Sequence, residues 1–133
     1  FMAKKFNFKV KVYYEDTDAG GVVYYANYLK FLERARSEAI YSLGFTNSDL
    51  LERDGILLIV KSCNIQYKSP AKFEDKLDIV SEVTSFTKTS FILNQEILRD
   101  NKLISEADIH IVAVDKNGKP SKLPDELKKK LEN

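Results

Sequence analysis

Residues 13–40 read YYEDTDAGGVVYYANYLKFLERARSEAI, a short acidic loop followed by a long amphipathic run. From about Tyr25 to Leu43 the spacing is helical. At 100° per residue, Tyr28, Leu29, Phe31, Leu32, Ala35, Ala39, Ile40 and Leu43 share one broad arc. Lys30, Glu33, Arg34 and Ser37 take the opposite face, and Gly44 follows as a natural stop. The arc covers about half the circumference, against roughly 100° for a surface helix, so this helix needs something wrapped around it. A sheet is the available partner. Arg36 breaks the pattern by projecting into the apolar arc. A guanidinium there needs a carboxylate or a carbonyl, and a structural ion pair is the expectation.

Outward from the helix, the chain reads as strands. Upstream, Phe6, Phe8, Val10, Val12 and Tyr14 alternate with lysines and Asn7, a half-buried strand over Lys5 to Tyr14. Downstream comes a brief helix, Ser48 to Asp54, ended by Gly55. Leu57 to Lys68 then places Leu57, Ile59, Cys63, Ile65 and Tyr67 on one face, with Lys61 as the exception. Alternation resumes over Leu77 to Val83, over Phe91 to Ile97 after a turn near Thr87-Lys88, and over Ala107 to Ala113. Asn117-Gly118 marks a further turn, and Pro124 opens a short terminal helix. A strand, a long helix, then about four strands on short turns predicts an antiparallel sheet with the helix on one face. The fold class is α+β.

The 133 residues fit a single domain. Lys plus Arg total 21 against 20 Asp plus Glu, which argues against a nucleic-acid binder with its basic excess. A single Cys excludes an internal disulfide framework and suits a reducing compartment, so a cytoplasmic location is expected. One His and one Cys cannot complete a tetrahedral His/Cys zinc site. The longest apolar run, Ile56 to Val60, is far below the ~20 residues that span a bilayer, so no integral membrane protein is expected. Lys4, Lys5, Lys9 and Lys11 interrupt any signal-peptide pattern, and Phe1 ahead of Met2 reads as a cloning remnant.

Chemistry concentrates in the loop before the long helix. Asp18 stands beside Gly20-Gly21, a few residues ahead of a helix end that carries unpaired N–H groups and a positive partial charge. A carbonyl oxygen placed there is polarised, and a nearby carboxylate can attack its carbon or activate water. The other reading is that Glu15, Asp16 and Asp18 cap turns in solvent. Cys63 lies on the apolar side of its strand and reads as an inert core residue. His110 shares the polar side with Glu106 and Asp108 and reads as a solvated strand histidine.

The Tyr13–Ile40 segment resembles the signature of YbgC-type acyl-CoA thioesterases, which group with 4-hydroxybenzoyl-CoA thioesterase in the hot-dog fold superfamily. The resemblance continues through SCNIQYKSPAKFEDKL (62–77), TSFILNQEI (89–97) and AVDKNGKPSKLP (113–124), nearly the whole chain. It implies a five-stranded antiparallel sheet wrapped around one long central helix. It also implies homodimers, commonly paired into homotetramers, with active sites at the subunit interface. The second acid of the D-T-D motif falls on Asp18, the implied catalytic carboxylate, acting as nucleophile or as general base. Tyr25 matches the residue at the helix start whose backbone N–H faces the thioester carbonyl. The family usually has His after V-V-Y. A backbone donor does not depend on that side chain, and the 4-hydroxybenzoyl-CoA enzymes carry Tyr.

Lys88 and Ser90 match a turn that contacts the CoA phosphates. The implied substrate is an acyl-CoA, with an acyl carrier protein thioester as the alternative, and no metal or separate cofactor is called for. Besides a purely structural or scaffold role, two rivals stand beside hydrolysis. One is a non-catalytic acyl-binding module. The other is a hot-dog dehydratase, which relies on a His, whereas His110 lies far along the chain from the loop.

Overall fold

Five strands form one antiparallel sheet in the computed structural model, which describes residues 4–132; the reading of Phe1 lies outside the described residues. The strands are β1 (Phe6–Lys11), β2 (Leu57–Tyr67), β3 (Lys76–Phe86), β4 (Ser90–Arg99) and β5 (Lys102–Val114). Their spatial order is β1-β3-β4-β5-β2, so the sheet ends on β1 at one side and on β2 at the other. The long helix α1 (Asn27–Ser42) packs on one face, and α2 (Asn47–Asp54) and α3 (Asp125–Glu132) complete the chain. The α+β arrangement is the one its alternating and helical periods predict.

Each helix boundary has a local cause. Gly44, with φ +91°, ends α1 in a backbone conformation that a side chain would resist. Thr46 caps α2 reciprocally. Its Oγ1 accepts the Asp49 N–H at 3.0 Å, while its own N–H donates to Asp49 Oδ2 at 3.3 Å. Along α1, Tyr28, Phe31, Leu32, Ala35 and Ala39 are buried against sheet residues such as Ile79, Leu93, Ile97 and Ile109. Burying a side chain the size of Phe or Leu contributes about 1.5–3 kcal/mol, so this one helix face anchors the fold.

Arg36 sits within that core contact, and its partner differs from the expected ion pair. Its Nη1 donates to the Gln95 carboxamide oxygen at 3.1 Å. Gln95 is completely buried, and its Nε2 donates at 3.0 Å both to the Leu32 carbonyl and to Ser81 Oγ. A carboxamide can satisfy a guanidinium and two acceptors at once, which a carboxylate cannot do. Burial lowers the Arg36 pKa from its ordinary value, and the Glu33 and Cys63 charges act the other way.

Strand β2 departs from the expected single alternation. Val60 pairs with Ile111 and Ser62 with His110, which leaves Lys61 as the extra residue of a β-bulge. Ahead of the bulge Leu58 and Val60 face α1; beyond it Cys63, Ile65 and Tyr67 do, while Leu57 and Ile59 face away. Lys61 was thus an exception because it is the inserted residue. Among the described residues the strand pairs through one margin only, with β5, and every residue along it is exposed or half-buried. Cys63 is therefore exposed at a sheet edge, not in the core as its apolar neighbours suggested. Burial still raises its thiol pKa above the ordinary value, opposed by the Arg36 charge.

Candidate active site

The loop between β1 and α1 is pinned at both ends. The Asp18 N–H donates to the Val22 carbonyl at 2.9 Å, and the Gly21 N–H returns to the Asp18 carbonyl at 3.0 Å. Gly21 takes φ +79°, a conformation this tight turn needs glycine for. Asp18 itself is exposed, and its Oδ1 accepts the Gly20 N–H at 2.8 Å. The Asp16 carbonyl then collects the Tyr24 N–H at 3.0 Å and Asn27 Nδ2 at 2.9 Å, tying the loop to the first turn of α1.

That first turn lacks a side-chain cap. The Asn27 N–H reaches the Tyr24 carbonyl at 2.8 Å and the Tyr28 N–H the Tyr25 carbonyl at 3.3 Å. Among the described residues nothing accepts from the N–H groups of Tyr25 or Ala26. Two successive bare amides at the positive end of a sixteen-residue helix are suited to hold a developing negative oxygen. Tyr25 lies two residues before α1 begins, with its side chain exposed.

Aromatic rings build the wall beside these amides. The Tyr67 hydroxyl donates to the Tyr25 carbonyl at 3.1 Å, and its ring meets Tyr28 edge-on with centroids 5.1 Å apart. Burial chiefly, with added contributions from Cys63, Tyr28 and Tyr25, raises the Tyr67 phenol above its ordinary pKa. Tyr28 accepts the Ala71 N–H at 2.9 Å, and the Ala71 carbonyl takes the Val23 N–H at 2.8 Å. Arg99 braces that segment by donating to the Pro70 carbonyl at 2.9 Å and to Asp75 at 2.7 Å. Together Val23, Tyr25, Tyr28, Tyr67 and the 68–70 segment line a cavity of about 260 Å³. Tyr67 was read from the sequence only as part of an apolar alternation, and Ala26 carried no signal at all.

The other expected residues lie elsewhere. Lys88 is exposed in the turn between β3 and β4, where its carbonyl accepts the Leu123 N–H at 3.0 Å. The Asp18 loop and the start of α1 adjoin the opposite end of the sheet, where β2 finishes and β3 begins. Leu77 to Phe86 spans nine steps of about 3.3 Å, so the two ends are roughly 30 Å apart. Ser90 is buried, and its hydroxyl lies 2.6 Å from Thr87 Oγ1. His110 pairs with Ser62 and Ile92 on the face away from α1, remote from Asp18. Among the described residues no group of three or more His, Cys, Asp or Glu is placed to hold a metal ion, and no helix is long and apolar enough to cross a membrane.

Residues 12–131 match the family model described as the thioesterase-like superfamily. The chain belongs to that superfamily. Its relatives include the acyl-CoA thioesterase YbgC of Haemophilus influenzae, 42% identical over 124 residues that make up 92% of this chain and 91% of the relative. The acyl-CoA thioester hydrolase YbgC of Escherichia coli O6:H1 is 41% identical, with 90% of each chain covered. Among solved structures, a probable thioesterase from Bartonella henselae superposes with a TM-score of 0.87 at 33% identity, covering 91% of this chain and all of that one. The sheet wrapped on α1 is therefore a member of the hot-dog fold, as the thioesterase-like sequence implies.

Proposed function

We propose that this thioesterase-superfamily member is an acyl-CoA thioesterase, converting an acyl-CoA and water into a carboxylate, free CoA thiol and a proton. Asp18 drives the attack in one of two ways. It takes a proton from water as the water oxygen adds to the carbonyl carbon, or it adds through its own oxygen to give an anhydride that water then opens. In both, the C–S bond breaks, the thiolate leaves as CoA, and the carbonyl oxygen carries negative charge in between. The observation that carries this reading is the pair of unengaged amides, Tyr25 N–H and Ala26 N–H, on the helix end that follows the Asp18 loop. Relatives of 41–42% identity with thioesterase names support the same reaction. No metal or separate cofactor enters it, CoA being part of the substrate, and a cytoplasmic setting belongs to the same reading.

The reading also needs a second copy of the chain. Lys88 is the residue expected to meet CoA phosphates, yet within one protomer it lies a sheet-length from Asp18. Antiparallel pairing of β2 with β2 of a partner, through the margin left open, would extend the sheet and bring opposite ends together. Lys88 of the partner subunit would then stand at the Asp18 end. Ser90 would serve the phosphate turn from within, through Thr87. A homodimer, or a homotetramer made of two, is the proposed working form.

Thiol release from a panel of acyl-CoAs, short to long and including aryl thioesters, tests the proposal. Asp18→Asn is expected to keep the fold and the oligomer but lose turnover by at least about 100-fold. Wild-type turnover in that variant removes Asp18 from the mechanism. Tyr25→Phe is expected to retain activity, because the donor is backbone. A non-catalytic acyl-binding module is the second reading, favoured by the Asp18 carboxylate being engaged by its own loop. It would show as thermal stabilisation by acyl-CoA, or by an acyl carrier protein thioester, without thiol release.

A further inference from the structure

We infer that Tyr67 is a positioning residue for the carbonyl-polarising amides: its hydroxyl grips the Tyr25 carbonyl and so fixes the peptide whose other end is the Ala26 N–H. The inference rests on the thioesterase reading above. A trans peptide is planar, with C=O and N–H on opposite sides, so setting the direction of one sets the other. Holding the Tyr25 oxygen 3.1 Å from Tyr67 Oη therefore aims the Ala26 amide.

The two bare amides have different anchors. The peptide carrying Tyr25 N–H is held within the helix by the Asn27 N–H, at 2.8 Å from the Tyr24 carbonyl. The next peptide has only a long helical bond, 3.3 Å from the Tyr28 N–H, and takes a second contact from β2, 42 residues away in sequence, at 3.1 Å. Tyr67 can serve as an anchor because it is itself wedged. Its ring meets Tyr28 at 5.1 Å and Tyr25 at 6.3 Å, both edge-on, and Tyr28 is buried and hydrogen-bonded to Ala71. The raised phenol pKa keeps the hydroxyl protonated, and so a donor, beyond the ordinary phenol range. Phenylalanine at this position preserves the ring contacts and deletes only the donor.

Tyr67→Phe in the full-length chain, assayed for thiol release on the best acyl-CoA of the panel, is the test. Deleting an oxyanion donor outright costs roughly 100- to 1000-fold, so loosening one should lower kcat about tenfold. KM should stay within about twofold, because the ground-state carbonyl gains less than the transition state from a well-aimed amide. The melting temperature should move by no more than about 3 °C, as expected when a single exposed hydrogen bond is lost. An unchanged kcat overturns the inference, and so does a loss carried by KM alone, which would mark Tyr67 as a substrate contact. Asp18→Asn run alongside separates the two levels. If that variant keeps its turnover the thioesterase mechanism itself fails; if it is inactive while Tyr67→Phe is unimpaired, only the role of Tyr67 fails.

Discussion

Gly20 stands so close to the Asp18 carboxylate that a Cβ on residue 20 would lie 3.2 Å from Oδ1, the oxygen that accepts the Gly20 N–H at 2.8 Å. The φ of Gly20 lies outside the left-handed region, so space and not backbone strain is what a side chain would violate. Gly20→Ala must push the carboxylate aside by a few tenths of an ångström. Reacting groups displaced by about 1 Å lose up to ~100-fold in rate, so kcat should fall about tenfold with the melting temperature nearly unchanged. Wild-type kcat in this variant would show that Asp18 Oδ1 needs no fixed place.

Lys88 and Asp18 are predicted to act across protomers. Lys88→Glu should raise KM for acyl-CoA with little effect on kcat, while Ser90→Ala should chiefly lower stability, since that hydroxyl bonds Thr87 inside the turn. Mixing Lys88→Glu chains with inactive Asp18→Asn chains should restore one intact site per mixed dimer. Random exchange into two-fold dimers then returns about a quarter of the wild-type sites. Activity measured at low acyl-CoA checks this, and no recovery above the sum of the parents would place both residues in the same protomer's site.

Gln95 should matter more to stability than Arg36. Gln95→Leu strips the Arg36 guanidinium of its carboxamide acceptor and the Leu32 carbonyl and Ser81 Oγ of the hydrogen bonds Gln95 Nε2 donates, an expected loss of about 2–4 kcal/mol in urea unfolding. Arg36→Met removes the charge along with its demand and should cost only about 1 kcal/mol. The reverse order would mean that Arg36 has a stronger partner than Gln95.

Cys63 and Tyr67 both titrate late in the folded chain. Each has a pKa raised chiefly by burial, so each favours folding while protonated. That contribution is fully present below the unfolded values, about 8.5 for a thiol and about 10 for a phenol, and is lost as pH rises through the higher folded values. Stability should therefore decline above about pH 9, less so in Cys63→Ser and Tyr67→Phe. At neutral pH Cys63 should alkylate more slowly than a free thiol, and Cys63→Ser should keep full activity.

The long helix, its stop at Gly44 and the strand order of the sequence were legible because each rests on a repeating pattern or a residue with a special backbone. Asp18 and Tyr25 entered as candidates through a motif, and their proposed roles await the variants above. What escaped was set by contacts distant in sequence. Arg36 announced a need for a partner, but nothing near it says that a carboxamide on β4 supplies one. Cys63 read as core because its neighbours alternate as core residues do, and alternation carries no information on whether a strand ends up at the sheet's margin. Ser90 matched a phosphate turn, yet its hydroxyl is claimed by a threonine three residues before it.

The bulge at Lys61 has a wider reach than its own residue. Side chains on a strand obey parity, odd to one side and even to the other, and one surplus residue is the cheapest way to exchange the two. Ahead of Lys61 the even positions, Leu58 and Val60, look toward α1; after it the odd ones do, ending with Tyr67. Were Lys61 to pair like its neighbours instead of bulging, with the first half of the strand still seated, the phenol would point to the outer face with no helix carbonyl to meet. The chemistry at the start of α1 thus depends on how the strand absorbs one residue six places upstream of Tyr67.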